Sequence, residues 1–275
     1  MGMENINNLN NKQEPKKERS NRLWQTNEYT LKFSVKNIET VGKENLKEIP
    51  PNARVVVVTT HLTDLDVPIA IHSVGKELDL SVMNMSVHHK FFGKQGEAPT
   101  NIGLHISGKK NFLPIDYERE DSGEKSAGTF NPENFEPAVE AIKNGKAILV
   151  AAHKPSKEPL QNLDTVKSGY GGVYLAQLTN AYILPVTVVL DRRVGMYKDN
   201  FKMVFKEKPN ASVKIGKPFQ LEKIDGIENF SRYTKNLGDK NISSEEDLTK
   251  FSQLIHALRD QSKLVIKKMS DQLSK

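Results

Sequence analysis

Apolar blocks separated by polar turns run along most of the chain, and their periodicity predicts an α/β fold. "ARVVVVTT" is a continuous β-branched run, typical of a central strand that is covered on both faces. "DVPIAIHSVGKEL" then predicts a helix, and "DLSVMNMS" predicts a second strand. From Asn131 the two periods alternate, with helices in "PENFEPAVEAIKNG" and "GYGGVYLAQLTN" and strands in "KAILVAA" and "YILPVTVVL". This order predicts a mixed, largely parallel central sheet with helices on both faces.

The ends of the chain carry different patterns. Residues 1–20 are polar and predict a disordered tail, which leaves residues 21–275 as a single domain. "YTLKFSVKNIETVG" alternates apolar and polar positions like an edge strand, and "FKMVFKEKPNASVKIGKPF" predicts a hairpin that turns at Pro209-Asn210.

The last segment predicts a long amphipathic helix. Its apolar face comprises Leu248, Phe251, Leu254, Ile255, Leu258, Val265 and Met269. A helix that lies on the core is the first interpretation of this face, and membrane contact is the second.

Charge and composition narrow the range of partners and of cellular locations that the sequence predicts. The 275 residues carry a net charge of +6 with an isoelectric point near 9.2, which favours anionic partners such as nucleic acid, phosphorylated metabolites or anionic lipid. Cysteine is absent, which excludes disulfides and thiolate metal sites. No apolar run is long enough to span a bilayer, and the N-terminus lacks the apolar segment of a signal peptide. We therefore expect a cytoplasmic protein, with peripheral contact at the inner face of the membrane.

A histidine and two acids, His61, Asp64 and Asp66, lie within six residues just after the valine run. Thr63 and Asp66 fit a capping box, but Pro68 would then lie in the helix interior, which proline disfavours. A helix that begins near Asp66 removes this conflict and makes the carboxylate its cap. His61 precedes the helix, so it is either a buried polar histidine or a chemical group.

The chemical interpretation follows from the position of His61. Ligands of such sheets collect beyond the carboxyl ends of the strands, where His61 is expected. If the chain turns back, the Asp66 carboxylate can hold one ring nitrogen and leave the other basic. A base and its orienting acid without a serine suit acyl transfer to a hydroxyl of the substrate.

Two other motifs are close to the sequence but lack residues that their chemistry requires. A zinc motif of the form H-x-H-x-D-H would need ligands where the chain has Thr63 and Leu65. "GLHISGKK", from Gly103 to Lys110, is close to a P-loop, but it ends in lysine instead of a magnesium-binding hydroxyl, and the strand-like "NFLPID" follows it.

The order of motifs resembles the glycerolipid acyltransferase superfamily, with agreement from about Ala53 to Phe219. "HLTDLDVP" matches its H-x-x-x-x-D block, "GKKNFLPIDYERE" its second block, and "AYILPVTVVL" with Pro185 its fourth. "VKSGYGGVYLAQLTNA" resembles the helix between the third and fourth blocks, and "VKIGKPF" resembles the closing strand. The resemblance implies that His61 is the general base and that Asp66 orients it.

The phosphate-binding blocks of this family are altered here. The arginine of the second block should fall near Tyr117, and Arg119 is the nearest. The third block, glutamate-glycine-threonine-arginine in the family, is here His153, Lys154, Pro155 and Ser156. Lys154, Lys157 and Lys167 can supply the missing positive charge, because phosphate needs cationic donors more than one particular side chain. Solvated surface lysines are the alternative.

The sequence thus leads to an O-acyltransferase as the main hypothesis. Its co-substrate would be acyl-CoA or acyl carrier protein, its acceptor a lysophospholipid or a glycerol-phosphate-like molecule, and it would need neither metal nor redox cofactor nor nucleic acid. A protein of the same fold that binds lipid or acyl chains without turnover is the second hypothesis, prompted by the altered third block. A hydrolase that uses water as acceptor is the third.

Overall fold

A seven-stranded sheet forms the centre of the protein in the computed structural model, which describes residues 22–63, 65–84, 111–114, 132–152, 169–192, 208–238 and 244–273. The strands are β1 Asn37–Val41, β2 Val55–Thr59, β3 Leu80–Asn84, β4 Phe112–Pro114, β5 Ala147–Ala151, β6 Tyr182–Leu190 and β7 Asn210–Ile215. The α-helices are α1 Arg22–Ser34, α2 Asp66–Val74, α3 Glu136–Lys143, α4 Gly171–Thr179, α5 Phe230–Gly238 and α6 Glu245–Leu273. Short 3-10 helices span Lys43–Glu48, Pro132–Phe135 and Ile227–Asn229.

The sheet has the order β1-β7-β6-β2-β5-β3-β4 and is parallel except where β6 meets β7. Strands β6, β2, β5, β3 and β4 therefore end at the same edge, which we call the carboxyl edge. The predicted mixed, largely parallel sheet is confirmed.

Helices cover both faces, because alternate residues of each central strand point to opposite sides. Val55 and Val57 of β2 pack in one core with residues of α1 and α2. Val56 and Val58 pack in the other core with residues of α3, α4 and α6. Every residue of β2 is buried, as its valine run predicts.

Two glycines mark where a helix ends and where a helix meets the sheet. Gly145 follows α3 with φ +84°, the left-handed conformation that glycine tolerates best. Gly172 lies in the first turn of α4, where an added Cβ would be 3.0 Å from Cγ1 of Val150 and 3.1 Å from Cγ2 of Val58. The small residue lets α4 approach the sheet closely beside β2 and β5.

Two sequence predictions are wrong in part. Residues 29–34, expected in an edge strand, belong to α1, and only Asn37–Val41 forms the edge strand β1. The helical conformation is favoured because it places Leu23 and Leu31 on the inner side of α1, where they are buried in the core together with Val35 just after the helix. Asn210, expected in a turn, is the first residue of β7. The first strand of the predicted hairpin and the 1–20 tail lie outside the described residues.

The C-terminal segment forms the single long helix that its periodicity predicts. Its buried positions include Leu254, Leu258, Val265 and Met269, so this face lies on the core. Leu248, assigned to the same face, is 47% exposed because it lies in the first turn. No helix in the described parts of the chain combines the length and the hydropathy that a bilayer crossing requires.

Candidate active site

The segment that carries His61 leaves the sheet at the carboxyl edge, directly after β2. Its first residue, Thr60, is fixed to β6 by three hydrogen bonds. Thr60 N donates to Val186 O at 3.3 Å, Thr60 Oγ1 donates to Val188 O at 3.2 Å, and Val188 N donates to Thr60 Oγ1 at 3.0 Å. The backbone position of His61 is therefore set by the sheet itself.

His61 is half-buried at this edge, as its place after β2 predicts. Its Nδ1 atom is shielded from solvent. Ala152, the residue that follows β5, donates its N–H to Thr59 O at 2.8 Å, and Gly169 donates to Ala152 O at 2.8 Å. His61 thus shares the carboxyl edge with both ends of the segment between β5 and α4.

Asp66 closes a tight turn after His61. Leu62 N donates to Asp66 Oδ2 at 2.6 Å, and Thr63 Oγ1 donates to Asp66 Oδ1 at 2.6 Å. Leu65 N in turn donates to Thr63 Oγ1 at 3.2 Å. The carboxylate is only 1% exposed, so it is a buried acid held by the backbone and a hydroxyl.

The capping role expected for Asp66 is wrong, although the predicted helix start is right. Asp66 is the first residue of α2, and its carboxylate accepts from Leu62 and Thr63, which precede the helix. Leu65 is the N-cap residue and makes no side-chain cap. Pro68 then falls in the first turn, where the backbone N–H groups lack helical partners and proline is tolerated.

Burial raises the pKa of the Asp66 carboxyl to about 6, and hydrogen bonds from Thr63 and Leu62 oppose this rise. The group is therefore ionised at neutral pH but gains a proton in mild acid. An ionised carboxylate that is shielded from water can stabilise a neighbouring imidazolium strongly. Leu62 and Thr63 donate hydrogen bonds to this carboxylate, and a direct bond from the His61 ring stays a prediction.

The proposed substrate-binding residues Arg119, Lys154, Lys157 and Lys167 lie outside the described residues, so their roles stay predictions. The segment of the P-loop alternative, Gly103 to Lys110, also lies outside the described residues. The strand β4, Phe112–Pro114, follows it where a P-loop requires a helix. Within the described ranges, no group of three or more histidine, aspartate or glutamate side chains is placed to hold a metal ion.

Two hydroxyls near His61 were not assigned a role from the sequence. The three-residue spacing between Thr63 and Asp66 suggested a capping box. In the structure the same spacing instead lets the Thr63 hydroxyl donate to the Asp66 carboxylate. Thr60 gave no signal, because its partner Val188 is 128 residues away along the chain. Both side chains are buried, Thr60 fully and Thr63 to all but 6%.

The sequence matches neither a protein-family model nor a curated protein. The structure is similar to the crystal structure of the 1-acyl-sn-glycerophosphate (LPA) acyltransferase PlsC from Thermotoga maritima. The two chains are 14% identical, with a TM-score of 0.45, over 80% of this chain and 77% of the other.

Proposed function

We propose that the protein is an O-acyltransferase. It would move a fatty acyl group from acyl-CoA or acyl carrier protein to a hydroxyl of a lysophospholipid or glycerol-phosphate-like acceptor. The observation that carries the proposal is the placing of His61 at the carboxyl edge, five residues before a buried acid with a pKa of about 6. The motif order of the sequence supports the same reaction class.

In this mechanism His61 accepts the proton of the acceptor hydroxyl as its oxygen attacks the thioester carbonyl carbon. The carbon–sulfur bond then breaks, and the thiol leaves with the proton that His61 returns. Asp66 orients the ring and stabilises the imidazolium by its charge. Arg119, Lys154, Lys157 and Lys167 would hold the phosphate of the acceptor. The reaction requires no metal and no redox cofactor.

A protein that binds lipid or acyl chains without turnover is the second candidate. It is favoured by the third block of the sequence, where His153, Lys154, Pro155 and Ser156 stand in place of the glutamate, glycine, threonine and arginine of the resembled family. Hydrolysis of the thioester with water as acceptor is a third candidate, and the thiol-release assay described next distinguishes it from acyl transfer.

The test is release of free thiol from an acyl thioester, with and without a lysophospholipid acceptor. The protein contains no cysteine, so a thiol reagent reports the product without a protein background. We expect acceptor-dependent release, reduced by about a hundredfold or more in His61→Ala, as for loss of a general base. His256→Ala, an exposed histidine on α6, is the matched control and keeps full activity.

Near-full activity of His61→Ala, with an unchanged melting temperature, would refute the mechanism. Thiol release that does not depend on acceptor identifies a hydrolase. Saturable binding of lysophospholipid without any thiol release identifies a lipid-binding protein.

A further inference from the structure

The hydroxyl of Thr63 is a buried polar group in the turn between β2 and α2, and the mechanism proposed above does not use it. Thr63 is only 6% exposed, so its hydroxyl depends on partners within the protein. Leu65 N donates to Thr63 Oγ1 at 3.2 Å, and Thr63 Oγ1 donates to Asp66 Oδ1 at 2.6 Å. The hydroxyl therefore links the backbone of the turn to the acid that is expected to orient His61.

The directions of these two hydrogen bonds follow from the groups involved. A backbone N–H can only donate, so the Thr63 oxygen accepts from Leu65. The single hydroxyl proton is then available to Asp66, and an ionised carboxylate can only accept. Protonation of Asp66 would weaken this bond, because a neutral carboxyl oxygen is a poorer acceptor than a charged one. The arrangement thus favours the charged form of the acid.

The carboxylate of Asp66 is held at both of its oxygens. Leu62 N donates to Oδ2 at 2.6 Å, and the Thr63 hydroxyl donates to Oδ1 at 2.6 Å. Donors on different oxygens fix the rotation of the carboxylate plane, which a donor on one oxygen leaves freer. Leu62 donates from its backbone, which any residue except proline could supply, whereas the bond to Oδ1 requires a hydroxyl side chain. Residue type at position 63 therefore controls how Asp66 is held.

The charge of Asp66 has a small margin at neutral pH. Burial raises the pKa of this carboxyl to about 6, and the hydrogen bond from the Thr63 side chain opposes the rise most strongly. A hydroxyl that donates to a charged group lowers the pKa of that acid by about one to two pH units. Loss of the Thr63 hydroxyl would therefore leave the carboxyl at least about half protonated at pH 7.

We propose that Thr63 is a positioning residue, whose hydroxyl keeps the Asp66 carboxylate charged and fixes its orientation. Thr63 acts through Asp66 and not on the substrate. A neutral Asp66 would lack the negative charge that stabilises the His61 imidazolium during proton transfer. The effect of Thr63 on turnover rests on the proposed function of His61 and Asp66, whereas its effect on the charge of Asp66 does not.

The first measurement follows the charge of Asp66 directly. Protein labelled with ¹³C at the aspartate carboxyls is titrated by NMR, and the Asp66 signal is the one that Asp66→Asn lacks. We expect a midpoint near pH 6 in the unchanged protein and in Thr63→Ser, which keeps a hydroxyl. The midpoint should rise by about one to two pH units in Thr63→Val and Thr63→Ala. Thr59→Val, the matched control, removes a buried hydroxyl that has no hydrogen-bond partner among the described residues, and it should leave the midpoint unchanged.

The second measurement is the pH dependence of acceptor-dependent thiol release. Thr63→Val should be about two- to tenfold slower than the unchanged protein at pH 7. At pH 8.5 it should come within about twofold of the unchanged protein, because the acid regains its charge as pH rises. Thr63→Ser and Thr59→Val should keep the pH profile of the unchanged protein. A merely structural role of Thr63 would lower the rate by the same factor at every pH.

The two measurements distinguish failure of this role of Thr63 from failure of the proposed function. Absence of thiol release by the unchanged protein refutes the acyltransferase, while the NMR midpoints still decide whether Thr63 controls the charge of Asp66. An unchanged Asp66 midpoint in both Thr63→Val and Thr63→Ala overturns the proposal. A loss of rate in Thr63→Val that is equal at pH 7 and pH 8.5 overturns it as well. Circular dichroism melting curves establish that each variant is folded.

Discussion

Three threonine hydroxyls with different environments flank His61. Thr60 Oγ1 exchanges hydrogen bonds with the backbone of Val188, and Thr63 Oγ1 bonds to Asp66. Thr59 Oγ1 is buried and has no hydrogen-bond partner in the part of the chain that the structure describes. A buried hydroxyl contributes to stability only when it is bonded, and it is costly when it is not. The hydroxyl of Thr60 should therefore stabilise the folded protein, whereas the hydroxyl of Thr59 should destabilise it or contribute nothing.

We predict opposite effects of the same substitution at these two positions. Thr59→Val removes an unpaired hydroxyl at nearly constant volume and should leave the free energy of unfolding unchanged or raise it by roughly 1 kcal/mol. Thr60→Val removes both bonds to Val188 and should lower it by roughly 1–3 kcal/mol. Urea denaturation of the two variants measures both values. A loss in Thr59→Val as large as in Thr60→Val would show that the Thr59 hydroxyl has a partner.

Asp66 makes stability depend on pH in an unusual direction for a carboxyl group. Its pKa is raised from 3.8 to about 6, because burial disfavours the charged form. Between these values the folded state binds more protons than the unfolded state, so stability falls as pH rises through this window. The free energy of unfolding is therefore roughly 3 kcal/mol lower at neutral pH than in acid below both pKa values, as far as Asp66 contributes to it.

Asp66→Asn removes this dependence because an amide does not titrate in the range. We predict that the free energy of unfolding of Asp66→Asn minus that of the unchanged protein increases by roughly 2–3 kcal/mol from about pH 4 to about pH 7.5, because only the unchanged protein loses stability over this range. Urea denaturation at the two pH values measures the change. Parallel pH profiles for the two proteins would contradict a raised pKa at this site.

At the scale of elements, the strands were predicted best where hydrophobic runs are continuous. The valine run of β2 and the runs of β5 and β6 are buried on both faces, so no other placement could satisfy them. Alternation was less reliable in residues 29–34, where a few apolar positions fit both a strand and a helix. Packing of Leu31 and Val35 against the sheet decided that case, and a contact of this kind cannot be read from local sequence.

The candidate site shows the same division between local and distant information. The position of His61 after a strand and the start of α2 at Asp66 follow from neighbouring residues, and both were predicted. The carboxylate contacts of Asp66 were not, because a cap and a turn closure use the same residue spacing. The bonds between Thr60 and Val188 join two strands far apart in the sequence, which only the folded sheet reveals.

At the scale of the molecule, the sheet separates two cores that are covered by different helices. Helices α1 and α2 cover one face, and α3, α4 and α6 cover the other. Each face needs its helices to shield strands such as β2 that are apolar on both sides. The long C-terminal helix α6 is therefore part of the core and not an appendage.

The structural role of α6 gives a prediction with an internal control. Leu258 is fully buried between α6 and the sheet, whereas Leu264 on the same helix is 45% exposed. Leu258→Ala should lower the free energy of unfolding by roughly 2–5 kcal/mol, the usual cost of a cavity in a core. Leu264→Ala should change it by less than about 0.5 kcal/mol, because its side chain already contacts water and alanine favours the helix. Denaturation curves of the two variants measure the difference. Equal small effects in the two variants would mean that α6 detaches from the sheet in solution.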